Sequence, residues 1–119
     1  MTPLFRRIAP LLLLVAAGWI GVQMIERVGG QRIAREMAAN AKAGDIMMLS
    51  SDTCTYCDQA RAWLRKHDVA FDECSIERDA ACAQAYRALR SPGTPTLVVR
   101  GQRQVGFSPE RVAQALRSG

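Results

Sequence analysis

The sequence predicts an α/β domain that follows a membrane-spanning helix, and three observations carry this. Residues 8–25 form an uncharged run of eighteen residues in which Gln23 is the only strongly polar side chain. From residue 46 onward, short apolar runs alternate with stretches of helical periodicity, in the order strand, helix, strand, helix, strand, strand, helix. At 119 residues, 49% apolar and 23% charged, the chain has room for one compact domain besides that run, and it is neither low-complexity nor disordered in composition. The expected organisation is a cytoplasmic tail over residues 1–7, a transmembrane anchor or signal peptide over 8–25, a helical stalk or linker over 26–45, and a globular domain over 46–119.

At 1.5 Å per residue the apolar run is about 27 Å long, close to the hydrocarbon thickness of a bilayer. Arg6 and Arg7 precede it, Glu26 and Arg27 close it, and Trp19 lies toward its far half. A buried core helix of this length would carry a polar face, and none is visible. Val15-Ala16-Ala17 offers small residues for signal cleavage, so a cleaved signal is an alternative to an anchor, and a soluble helix is a third. Cleavage there would leave Trp19-Ile20-Gly21-Val22 as an exposed apolar terminus. Arg6 and Arg7 mark the N-terminal side as cytoplasmic, but Arg27, Arg32, Arg35 and Lys42 outnumber them on the other side, so the charge tally alone leaves orientation open. Residues 29–45 are rich in Ala and charge and read as a helix ending near Gly44.

In the globular part, Ile46-Met47-Met48-Leu49 reads as a buried strand with both methionines in the core. From Cys54 to Lys66, Cys57, Ala60, Trp63 and Leu64 recur at helical spacing, with Arg61, Arg65 and Lys66 outward. His67-Asp68 ends that helix, and His67, the only histidine, reads as a helix end. Residues 69–74 make a second strand, and residues 76–90 a second helix with Ala81, Ala85, Ala88 and Leu89 as its small-residue face. Ser91-Pro92-Gly93-Thr94-Pro95 breaks it, because proline lacks the amide and clashes with the preceding turn. Residues 96–100 form the strongest strand, Gly101-Gln102 turns the chain, and residues 103–105 pair back as a hairpin. Ser108 as N-cap and Pro109 at the first helical position start a last helix that runs through Leu116.

The net charge of +5 divides into six basic against three acidic residues over 1–45 and ten against eight over 46–119, and few aromatics accompany it. Nothing in this resembles a phosphate-tracking groove, so nucleic acid is not an expected partner. The chemistry lies in Cys54-Thr55-Tyr56-Cys57, whose spacing belongs to redox or metal chemistry. A helix N-terminus favours a thiolate through its free amides and its dipole, which makes Cys54 the attacking thiol, and Cys57 one turn on is placed to resolve a mixed disulfide. Asp52 and Asp58 oppose the thiolate, with Arg61 as a counterweight. A zinc site is the competing reading, but Cys74 and Cys82, eight apart, do not form a second knuckle, and no metal is expected. One of these closes the second strand and the other lies early in the second helix, so a structural disulfide is expected, which requires an oxidising compartment. Two buried free thiols, or a relay with Cys54 and Cys57, are the alternatives.

Over residues 46–117 the sequence resembles the glutaredoxin branch of the thioredoxin fold. The resemblance rests on Cys54-Thr55-Tyr56-Cys57 after the first strand, Gly93-Thr94-Pro95-Thr96 before the third, and Gly106-Phe107 before the last helix. It implies a three-layer α/β/α domain with a four-stranded mixed sheet. It also implies a cis peptide at Thr94-Pro95 facing the thiols, with Thr94 and Pro95 docking an extended substrate; Tyr56 is a further substrate contact or a solvent-facing aromatic. The run from Gly106 to Glu110 is similar to that of redoxins serving ribonucleotide reductase. The chain departs from glutathione-using members: no basic residue precedes Cys54, Thr55 stands where Pro is common, and the Gly-Gly and acidic residue near the last helix are absent. No cofactor is expected, and these departures weigh against glutathione. The expected function is thiol–disulfide exchange with protein disulfide or dithiol substrates and a redox-regenerating partner, in a protein held in the inner membrane by residues 8–25 with its domain in a bacterial periplasm. The alternatives are a cytoplasm-facing reductant and a non-catalytic module holding a metal or iron–sulfur cluster.

Overall fold

A computed structural model describes residues 3–119, so Met1 and Thr2 of the expected tail lie outside the described residues. The first helix, α1 (Pro3–Asn40), contributes to two compact units, one ending at Arg32 and the other spanning Ile33–Gly119. In the first unit the side chains are exposed almost throughout, and the most apolar eighteen-residue window has a mean hydropathy of 2.1 with nothing in it buried. By length and composition this helix can cross a membrane.

The second unit is built on four strands, β1 (Ile46–Ser50), β2 (Asp72–Ser75), β3 (Thr96–Val99) and β4 (Gln102–Val105), in the order β2-β1-β3-β4. β1 runs parallel to β2 and antiparallel to β3, and β3 is antiparallel to β4, which makes the sheet mixed. Three helices join these strands: α2 (Thr55–Lys66), α3 (Ala80–Ala88) and α4 (Pro109–Ser118). This is the thioredoxin-like arrangement that the resemblance implies. Register places Ile46 opposite Val99 and Met48 opposite Leu97, so these four fully buried residues share one face of the sheet. That face shares its core with Ala60 and Leu64 of α2 and with Val112, Ala113, Ala115 and Leu116 of α4. Ser108 caps α4 with its side chain and Pro109 opens it, as the sequence predicts.

The structure departs from the sequence expectation in four places. Residues 33–41, expected within a stalk, supply Ala34, Met37 and Ala41 to the core, with Met37 fully buried. The spacing is helical, but the face is written mostly in alanine, which composition alone reads as neutral helix former. Met47 points away from Met48, as strand alternation demands, and is 37% exposed. The second strand starts only at Asp72; Val69 is buried in the connection, its amide bonded to the Leu64 carbonyl at 3.0 Å. α3 starts at Ala80 because the Asp79 side chain caps it, accepting from the Cys82 amide at 3.1 Å. Its inward face is Cys82 with the half-buried Ala83, Tyr86 and Leu89, whereas Ala81, Ala85 and Ala88 are exposed. The period was legible and its phase was not, since alanine sits comfortably on either face.

One arginine closes this unit at the end of β3. Arg100 has φ 46, and its amide donates to the Asp45 carbonyl at 2.9 Å. Its guanidinium donates to the Asp45 carboxylate at 3.2 Å, to the Asn40 carbonyl at the end of α1, and to the Leu116 carbonyl in the last turn of α4. Asp45 is held below the usual carboxylate range first by the Lys42 amide and then by Arg100.

Candidate active site

Residues 51–53 leave β1 and deliver Cys54 to the N-cap of α2, with φ −96 and ψ 105, outside helical geometry as an N-cap requires. Its Sγ accepts from the Cys57 amide at 3.0 Å, so a free donor of the first helical turn faces the sulfur where a negative charge would form. Cys54 and Cys57 are joined as a disulfide, with Cα atoms 5.2 Å apart. Their burial is unequal. Cys57 is fully buried beneath the helix, and Cys54 is only half-buried. Of the two, Cys54 is the residue more open to solvent.

On one side of the pair an open groove of about 640 Å³ brings together Tyr56, Thr94 and Pro95. The Thr94-Pro95 peptide is cis, Pro95 is buried, and its carbonyl accepts from the Gly106 amide at 2.8 Å. Thr96 Oγ1 donates to the Gly93 carbonyl at 2.7 Å, which fixes the loop that presents these residues. Tyr56 is 72% exposed and reaches into solvent at the groove edge. The groove is also lined by residues that the sequence did not single out as site residues, among them Gln59, Trp63, Phe107 and Arg111. Trp63 stacks on His67 at 4.2 Å, which closes α2 as its C-cap, and meets Phe107 at 5.4 Å. Arg111 donates to the Val105 carbonyl at 3.0 Å and is the one charged residue lining the groove. The signal for Trp63 and Phe107 was their aromatic character near the cysteines and the last turn; for Arg111 no local signal existed.

The other flank of the pair is polar. Arg61 donates from Nε to Glu73 at 2.7 Å, again from Nη2 to the second Glu73 oxygen, and from Nη1 to Asp58 at 2.7 Å. Its guanidinium, expected as a partial counterweight to the flanking carboxylates, is thus fully engaged by Asp58 and Glu73. Glu73 is held below its usual range chiefly by this guanidinium, and Arg61 is held above its own by Glu73 and Asp58. Asp52 is paired separately, with Arg78 at 2.9 Å. Of the two carboxylates that would oppose a thiolate at Cys54, Asp52 thus pairs with Arg78, and Asp58 shares Arg61 with Glu73.

Cys74 on β2 and Cys82 on α3 form a second disulfide, with Cα atoms 6.0 Å apart and Cys82 almost wholly buried. All four cysteines are thereby bridged. Among the described residues no three His, Cys, Asp or Glu side chains gather as a metal site would need.

Residues 46–104 match the family model described as Glutaredoxin. Among solved structures, the thioredoxin-like protein BC3987 is 28% identical, with a TM-score of 0.52 over 59% of this chain and 97% of that one. The glutaredoxin of Methanosarcina mazei Go1 is 21% identical, with a TM-score of 0.53 over 65% of this chain and 82% of that one, and shares the fold. Over 31 residues the chain is 55% identical to the global transcriptional regulator Spx of Streptococcus agalactiae, a stretch that makes up 26% of this chain and 23% of the regulator. The chain thus spans about a quarter of the length of the curated relatives it matches. From the family match, and from the fold that presents Cys54 and Cys57 at a helix start, the chain carries a glutaredoxin-family domain over residues 46–104.

Proposed function

We propose that this protein exchanges disulfides with protein substrates at the outer face of a bacterial inner membrane, held there by residues 8–25. One observation carries the reading: of two bridged sulfurs, the accessible one caps a helix beside an apolar groove, and the other is buried. In the reducing direction, the Cys54 thiolate attacks one sulfur of a substrate disulfide and expels the other as a thiolate, which takes a proton from solvent. Cys57, deprotonated, then attacks Cys54 Sγ, forms the Cys54–Cys57 bridge and releases the second substrate thiolate; two electrons pass to the substrate. The reverse sequence oxidises a substrate dithiol, and a second dithiol or disulfide partner restores the starting state.

Tyr56, Thr94 and Pro95 border the path a substrate segment takes, and Trp63 and Phe107 offer it an apolar wall. An open groove lined mainly by apolar residues suits a protein segment better than a charged tripeptide such as glutathione, in line with the departures from glutathione-using members. The Cys74–Cys82 bridge supports an oxidising compartment, and the apolar part of α1 supports membrane attachment.

The test is covalent trapping. In Cys57→Ser the mixed disulfide has no internal thiol to break it, so joined partners accumulate on a non-reducing gel and can be identified. Cys54→Ser accumulates few. Equal trapping by the two variants refutes the assignment of roles, and a fusion after Gly119 that is active only in the cytoplasm refutes the location.

A further inference from the structure

The segment enclosed by the second disulfide grips the segment that delivers the nucleophile. Between Cys74 and Cys82 the chain turns through residues 75–79, and the Glu77 carboxylate reaches back to the loop between β1 and α2. It accepts from the Ser51 hydroxyl through one oxygen and from the Asp52 amide, at 3.2 Å, through the other. Ser75 joins the cluster: its hydroxyl lies 3.0 Å from both Glu77 Oε2 and Asp52 Oδ1, and it accepts from the Glu77 amide at 3.3 Å. Arg78, the next residue, pairs with the Asp52 carboxylate at 2.9 Å from Nε. The Ile76 amide donates to the Ser50 carbonyl at 2.9 Å, so backbone as well as side chains tie the two loops. Cys54 depends on this loop for its place, since its own amide donates back to the Ser51 carbonyl at 3.3 Å.

We propose that Glu77 is a positioning residue for the exchange reaction: held by the Cys74–Cys82 bridge, its carboxylate clamps Ser51 and Asp52 so that Cys54 stays at the N-cap, with its sulfur on the Cys57 amide. This gives the second disulfide a role in the chemistry of the first without any transfer of electrons between them. The carboxyl of Glu77 is held below its usual range, first by the Ser51 hydroxyl and then by the Asp52 amide and Ser75, so the clamp is ionised at neutral pH. Two opposing effects are separable by variant. Losing the negative charge favours a thiolate at Cys54, whereas losing the clamp lets Cys54 leave the N-cap and disfavours it. Glu77→Gln removes the charge and keeps an acceptor oxygen, and Glu77→Ala removes both.

The inference rests on Cys54 as the nucleophile, and the experiment separates the two ideas. In full-length Cys57→Ser protein in detergent micelles, with the Cys74–Cys82 bridge intact, iodoacetamide labelling of Cys54 is followed against pH. The midpoint is expected below that of an unperturbed thiol; an ordinary midpoint overturns Cys54 as the activated thiol. Adding Glu77→Ala is expected to place the midpoint above that of Glu77→Gln by roughly half a pH unit or more, the size of a lost helix-end contact to a charge. Equal midpoints overturn the clamp and leave the nucleophile standing. Ser51→Ala, which changes no charge, gives a second reading should Glu77→Ala fail to fold: its midpoint rises if the clamp holds, and an unchanged midpoint overturns it. Replacing both Cys74 and Cys82 by Ala is expected to raise the midpoint when Glu77 is present and to add little when Glu77 is Ala. A full additional shift in that background overturns the link between bridge and clamp.

Discussion

Removing the Cys74–Cys82 bridge is the sharpest test of how the small core is held together. The bridge closes a loop with a sequence separation of eight. On the chain-entropy relation a loop that short stabilises the fold by about 2.5 kcal/mol at 25 °C, by restricting the unfolded chain. Cys82 is 4% exposed, so alanine is the right replacement, since a serine hydroxyl there would add the cost of burying an unpaired polar group. For a domain of this size each kcal/mol moves Tm by about 4–8 °C, which gives an expected fall of about 10–20 °C for Cys74→Ala/Cys82→Ala. Scanning calorimetry of the full chain in micelles measures it, with both proteins oxidised so that Cys54–Cys57 is present throughout. A fall of less than a few degrees would show that the loop over residues 75–81 is already ordered in the unfolded chain, or that the bridge contributes no net stability, and either outcome refutes the entropic account.

Three further outcomes are expected. Met37→Ala should cost about 2–5 kcal/mol, as for other fully buried large side chains, and a protein starting at residue 46 should be less stable than one starting at residue 30; a neutral Met37→Ala would show that the end of α1 does not belong to the core. Glu73, Glu77 and Asp45 all have folded-state pKa values below their ordinary 4.5, 4.5 and 3.8, so their stabilisation is complete at neutral pH and declines as pH falls through those values toward the folded ones. Tm should therefore fall more steeply with acid in the native protein than in Glu73→Gln, and equal slopes from pH 6 to pH 3 would refute the contribution of Glu73. Trp63→Ala should raise KM for a peptide disulfide several-fold and leave Cys54 alkylation nearly unchanged, because Trp63 borders the groove and not the sulfur; a parallel loss of both would place its role in the fold.

The elements nearest the chemistry were the most legible. Cys54 begins a helical period, Thr96 to Val99 is an apolar run pinned between Pro95 and Gly101, and Ser108-Pro109 is a helix start written in two residues. Each of these is a local signal, decided by backbone sterics or by amides that need a partner. The illegible features are those that depend on a distant segment. Met37 belongs to the same buried cluster as residues of β1, β3 and α4, and nothing within residues 29–45 records that. The phase of α3 is fixed by the bond from Cys82 to Cys74, against an alanine pattern that points the other way. Glu77 and Arg78 read as an ordinary charged turn until the fold lays them beside Ser51 and Asp52. Arg61 shows the converse: its place one turn after Cys57 was correct, but Glu73 from the neighbouring strand claimed its guanidinium.

Arg100 carries a kinetic consequence. Its partners lie 55 and 60 residues earlier, at Asp45 and Asn40, and 16 later, at Leu116. Such contacts form only once β1 has paired with β3 and α4 has docked, after most of the loop-closure entropy has been lost. A side chain that joins the structure this late has little influence on the climb to the folding transition state and a large one on the escape from the native state. Arg100→Lys, which keeps the charge but lacks a fork able to meet three oxygens, is expected to speed unfolding while leaving the refolding rate close to native, so that the two arms of a chevron plot respond unequally.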